Sequence, residues 1–160
     1  MIDKFGTIDK LILARDTLLA IHLLSAAIWV GGMAYVLLVL RPALAALEPA
    51  AKAMQMHLLT LKKFFLIVWH VMPLMLLTGW GMVFMVWGSM KLLPWNINAM
   101  QGLGVLMALI FIAVYFGPYK RAQRAIRATP EMLGRIRMFV VANFILGCIT
   151  IIMGSLGHVW

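Results

Sequence analysis

Four apolar runs, at about residues 17–40, 64–87, 97–116 and 136–160, limit what this chain can fold into. Each matches the length of roughly 20 residues needed to cross a hydrocarbon core about 30 Å thick. No water reaches the backbone there, so each run must be a helix that closes its own hydrogen bonds. The side-chain balance agrees: 64% of the 160 residues are hydrophobic and 12% charged, against roughly 25% charged in a soluble domain. The expectation is an all-α integral membrane four-helix bundle, a single domain over residues 1–160.

The ends of the runs carry stop signals. Arg41-Pro42 closes the first, Lys62-Lys63 precedes the second, "GPYKR" closes the third, and Arg135 and Arg137 flank the entry to the fourth. The opening "MIDKFGTIDKLILARD" lacks the basic start, short apolar stretch and small-residue cleavage site of a signal peptide, so it reads as mature sequence. "PAAKAMQMHLLTLKKFF" holds good helix formers and no breaker, which predicts helix from about Pro49 into the second run. Cys148 is the one cysteine, so the chain cannot form an internal disulfide.

Basic residues orient the bundle. Lys4, Lys10, Arg15 and Lys91 fall on one side, four in all; Arg41, Lys52, Lys62, Lys63, Lys120, Arg121, Arg124, Arg127, Arg135 and Arg137 fall on the other, ten in all. Positively charged short loops stay cytoplasmic, so both termini are expected on the outward, periplasmic side of a bacterial inner membrane. The net charge of +9 then reflects topology and attraction to anionic lipid head groups, not a nucleic-acid partner. In "KRAQRAIR", Lys120, Arg124 and Arg127 share one helical face, as in a segment lying on the cytoplasmic leaflet.

The five carboxylates, Asp3, Asp9, Asp16, Glu48 and Glu131, all lie outside the spans. Proton-coupled transporters normally use intramembrane acids, so that class is disfavoured. There is no Ser-His-acid set, no phosphate-cradling glycine loop and no CxxC, so no reaction is assigned. Chemistry must rest on four histidines, fourteen methionines and a few amides.

His22 lies about 8 Å inside the outward end of the first span, at 1.5 Å per residue. Ser25, Ala26, Trp29 and Met33 share its face. His158 lies at the outward end of the fourth span, above a mostly small-residue strip formed by Ser155, Gly154, Thr150 or Ile151, Gly147 and Asn143. Such a strip admits a flat group or another backbone. A haem b needs two axial ligands from facing helices and a slot of low side-chain volume, and His22 with His158 meets the depth condition. Gln101 is a weaker alternative ligand, and Arg15 or the Trp95-Asn96 region would meet the propionates.

His70 precedes Pro73, whose missing N–H frees the Trp69 carbonyl and could shape a second metal site. His57 lies thirteen residues before His70, about 140° away around a straight helix, so the two cannot share an ion. Copper is the rival cargo, because thioethers and imidazoles suit Cu(I). Met72, Met75, Met82 and Met85 lie in one arc of the second span, with Met90 and Met100 near the outward side. The competing reading is packing, since methionine is a flexible apolar filler.

With these residues in view, the chain resembles the CopD-like family of bacterial inner-membrane proteins, through "HLLSAAIWVGGM", "RPALA", "KKFFLIVW", "GPYKRAQRAI" and "GRIRMFVVANFILG". That resemblance implies copper uptake or resistance. A more distant likeness, to four-helix haem-b membrane proteins of the HemJ type, maps their first-span histidine onto His22 and their proline–glycine pattern onto Pro73 and Gly79. It implies haem ligation by His22; the lysine and Asn-Glu-Pro elements of that family are absent here.

The leading expectation is a haem-b protein handling electrons near the periplasmic face, with His22, His158, Gln101, Trp29 and Gly154 around the cofactor. A copper-handling protein using His22, His158, His70 and methionines is the runner-up, and a cofactor-free assembly subunit the third reading. The small-residue faces point to a homo-oligomer or a place in a respiratory or other membrane complex.

Overall fold

The computed structural model describes residues 2–90, 93–125 and 129–156, with residues 2–5 as backbone alone. Helix α1 (Ile2–Tyr35) continues through a π-helical turn, Val36–Leu40, into α2 (Arg41–Ala45). Helix α3 (Ala50–Trp87) follows. Then α4 (Trp95–Val114) continues through a second π turn, Tyr115–Tyr119, into α5 (Lys120–Arg124), and α6 (Pro130–Leu156) completes the set. Among the described residues, four helical stretches are long and apolar enough to cross a membrane: Gly6–Ala45, Ala50–Trp87, Trp95–Arg124 and Pro130–Leu156.

The start of α3 meets its expectation, with Pro49 in an extended conformation immediately before the first helical residue. At its far end Gly88 takes a left-handed φ of 65°, and its N–H bonds to the Phe84 carbonyl. Glycine adopts that conformation without a Cβ penalty. At about 1.5 Å per residue the 38 residues of α3 reach roughly 57 Å, so the helix stands well clear of a hydrocarbon core.

The proline stop signals do not stop their helices. Pro42 sits in the first turn after the Val36–Leu40 segment, and Pro118 sits inside Tyr115–Tyr119. Proline lacks an N–H and its ring clashes with the carbonyl four residues back. A π turn shifts the bonding to the fifth residue back and removes that conflict; the Arg41 N–H, for instance, bonds to the Val36 carbonyl.

Helix α1 packs chiefly on α3, and α4 on α6, with lighter α1–α6 and α3–α4 contacts joining the two pairs. Toward the end carrying most of the basic residues, the core is aromatic. Phe65 meets Tyr119 edge-on at 4.6 Å between centroids, Trp69 meets Tyr115 at 5.4 Å, and Trp29 meets Phe111 at 6.3 Å. Such pairs add about 0.5–1.5 kcal/mol each beyond their burial. The outer surface is apolar, with Leu38, Leu66, Leu109 and Met138 exposed. In water that surface would be a liability; against lipid it is the ordinary exterior.

A histidine notch between α1 and α3

The chemistry closest to a built site lies where α1 crosses α3. The 3.6-residue period puts Ser25, Trp29 and Met33 on the His22 side of α1, and all three are buried. His22 is itself half-buried. Its Nδ1 lies 2.8 Å from the Met75 carbonyl oxygen and 3.3 Å from Thr78 Oγ1, both on α3. A carbonyl can only accept, so Nδ1 carries a proton, and in the neutral ring Nε2 then keeps its lone pair. Thr78 Oγ1 donates to the Leu74 carbonyl at 2.6 Å and lies 3.1 Å from the Met75 carbonyl, so it holds the same turn together.

Gly79 makes the approach possible. A Cβ there would stand 3.1 Å from His22 Cε1, tighter than ordinary contact, and 3.4 Å from Nδ1. The notch is therefore a missing side chain on α3, filled by the ring of His22. A neutral imidazole whose Nδ1–H is fixed by a backbone carbonyl, leaving Nε2 as the basic nitrogen, has the arrangement of a metal-ligating histidine.

Thioethers line the same side of α3. At about 100° per residue, Met72, Met75, Thr78, Gly79 and Met82 fall within roughly 120° of one another around the axis. Met72, Met75 and Met82 are buried, whereas Met85 is exposed.

The small-residue strip of α6 is filled by side chains. A Cβ on Gly154 would stand 3.1 Å from Met100 Cε and 3.4 Å from its Sδ. One on Gly147 would stand 2.8 Å from Val30 Cγ2 and 3.2 Å from Met107 Cε. Thr150 Oγ1 lies 3.9 Å from Met107 Sδ, and Asn143 is buried with its Oδ1 unpartnered among the described residues. What meets this strip is methionine and valine rather than open space.

The other expected site residues lie apart from the notch. Trp29, two turns along α1 from His22, is 1% exposed and packed on Phe111. His70 is exposed, and its Nδ1 bonds at 2.8 Å to the Leu66 carbonyl of its own helix. Arg15 pairs with Asp16 at 2.9 Å on the surface. Trp95 is exposed and Asn96 buried at the start of α4, and Gln101 is half-buried one turn further on. His158 lies outside the described residues. Among the described residues no three of His, Cys, Asp and Glu come together as a metal site, so a metal held in the spans would need methionine or amide partners.

Sequence reasoning named His22, Met75 and Gly79 separately and missed Thr78. The available signal was the Thr78-Gly79 pair, a hydroxyl beside a gap within an apolar helix.

A family model described as copper resistance protein D, CopD, matches residues 58–156, from the cytoplasm-predicted half of α3 to the last described turn of α6. No curated protein and no solved structure matches the chain. The match takes in more than half of the sequence, including the α3 notch that receives His22, and the chain belongs to the CopD copper resistance protein family.

Proposed function

We propose that this multi-pass membrane protein handles copper as Cu(I) at the α1–α3 interface. His22 Nε2 supplies the nitrogen ligand, and the thioethers of Met75 and Met82 supply sulfur. The observation that carries the reading is the 2.8 Å bond from His22 Nδ1–H to the Met75 carbonyl, which fixes the tautomer a metal needs. The donor set agrees: the four apolar runs offer imidazole, thioether and the one thiol of Cys148 and no carboxylate, which favours soft Cu(I) over hard divalent ions. The match to a family described as copper resistance supports the choice of copper. His158 is a candidate second nitrogen ligand on the strength of its expected depth.

The orientation belongs to this reading. Ten of fourteen cations lie on the predicted cytoplasmic side, so both termini face the periplasm and His22, level with Met75 in the later half of α3, lies in the periplasmic half of the bundle, the side from which copper would enter.

Haem b is the less favoured reading, because a macrocycle between α1 and α6 would have to displace Met100, Met107 and Val30 from the glycines they cover. Purified protein reconstituted with Cu(I) under a competing chelator decides between the two. The expected result is a colourless protein with one tight Cu(I) per chain, reduced to weak binding in His22→Ala and weakened in Met75→Leu and Met82→Leu. A red protein with a Soret band lost in His22→Ala overturns the copper reading, and so does wild-type affinity in all three variants.

A further inference from the structure

A second concave site lies at the other end of the bundle, remote in sequence and chemistry from His22. Between the first turns of α3 and helix α5 runs a cleft of about 480 Å³ lined by Gln55, Lys62, Lys120, Gln123 and Arg124, with Leu59 on its wall. Gln55, Leu59 and Lys62 recur at helical spacing on one face of α3, as Lys120, Gln123 and Arg124 do on α5. Every polar side chain of the lining can donate hydrogen bonds, three are cations, and none is a carboxylate. Among the described residues the one ion pair is Arg15–Asp16, so these three cations have no protein counter-ion.

Two contacts hold the lining in place. Gln123 Nε2 donates to the Tyr119 hydroxyl at 2.7 Å, and Tyr119 is 1% exposed. Lys120 Nζ stands 5.1 Å from the Tyr115 ring centroid, an attraction that fixes its direction. The aromatic core thus anchors two of the donors. Three like charges converging without an acid repel one another, and an anion with several acceptor oxygens removes that cost.

The level of the cleft narrows the ligand. Lys62 and Lys120 flank the inner ends of the second and third apolar runs, where phospholipid phosphates lie. Leu59, 52% exposed beside the cations, gives an apolar wall for the glycerol and upper acyl carbons.

We propose that this cleft is a phosphate-binding site which, in the membrane, holds the head group of one anionic phospholipid. It is independent of the copper reading: it shares no residue with the notch and stands if copper fails.

Native mass spectrometry of the full chain, released from detergent micelles containing equal phosphatidylglycerol and phosphatidylcholine at physiological salt, tests it. The expected result is one retained phosphatidylglycerol per chain in clear excess over phosphatidylcholine. Its affinity should fall about a hundredfold in the Lys62→Gln/Lys120→Gln/Arg124→Gln variant, at roughly fivefold per cation. Lys52→Gln/Lys63→Gln, cations outside the cleft, should retain the lipid. Displacement by millimolar inorganic phosphate would show that phosphate alone is read; failure to displace would show that the lipid body contributes. Equal retention of both lipids by the wild type overturns the proposal without any variant, as does full retention by the triple variant.

Discussion

The site at His22 turns on one hydrogen atom. Gly79 has no Cβ, and the ring of His22 packs closely enough there that a Cβ would crowd it, with Nδ1 2.8 Å from the Met75 carbonyl. Adding a methyl group at Gly79 pushes the ring away from that carbonyl by a few tenths of an ångström and frees it to rotate. Loss of the outer hydrogen bond to a metal-ligating histidine typically costs 10–100-fold in affinity. Gly79→Ala should therefore weaken Cu(I) binding by about that factor while the protein still folds, as measured by chelator competition alongside a far-UV spectrum. Thr78→Val should act in the same direction and more weakly, because Thr78 approaches Nδ1 at 3.3 Å and mainly holds its own turn. If Thr78→Val cost more than Gly79→Ala, the hydroxyl and not the carbonyl would be orienting the ring.

At the scale of elements, glycines set how closely helices approach. Gly147 of α6 lies under Val30 of α1 and Met107 of α4, so one position joins three helices. A Cβ there meets Val30 Cγ2 at 2.8 Å, and such overpacking costs typically 1–3 kcal/mol. Gly102, on α4, has nothing within 4 Å of the same added atom. Gly147→Ala should thus lose about 1–3 kcal/mol in a detergent unfolding titration, and Gly102→Ala should lose nothing or gain slightly through helix propensity. Equal effects at both positions would show that α1, α4 and α6 are not packed through Gly147. The π turns belong to the same scale. Val36–Leu40 and Tyr115–Tyr119 carry their helices past Pro42 and Pro118, extending the first and third spans into α2 and α5, and α5 supplies half of the cationic cleft.

The whole molecule is polarised along its length. The imidazole notch and its thioethers lie toward one end, and the cleft of Lys62, Lys120 and Arg124 lies at the other. A single cysteine makes the orientation measurable. Cys148 is half-buried within α6, so the wild type should resist a membrane-impermeant maleimide on whole cells. Lys52→Cys should label only after permeabilisation and Met90→Cys without it, since their positions fall on opposite sides by the distribution of basic residues. The reversed pattern would put the notch at the cytoplasmic face and copper entry from outside would have to be abandoned.

Much of this was legible in the linear sequence. Four spans followed from run length, because hydrocarbon enforces helices of a fixed extent. The buried face bearing Ser25, Trp29 and Met33 followed from the helical period, a local property of the chain. The restricted donor set of the apolar runs, imidazole and sulfur without acids, followed from counting. Where the chain would bend or stop did not follow, because a wider turn absorbs a proline as readily as a helix end does, and nothing local distinguishes the two. Nor did the partner of His22. Met75 and Gly79 lie more than fifty residues away, and an imidazole meets a gap on another helix only once two helices have settled their rotation and register against each other. The same holds for the strip of α6, which reads along the chain as an open slot and is closed by Met100, Met107 and Val30. Composition and periodicity determined the kind of protein and the atoms available to it. Packing between helices, which depends on pairs of surfaces and not on either one alone, decided which of those atoms meet.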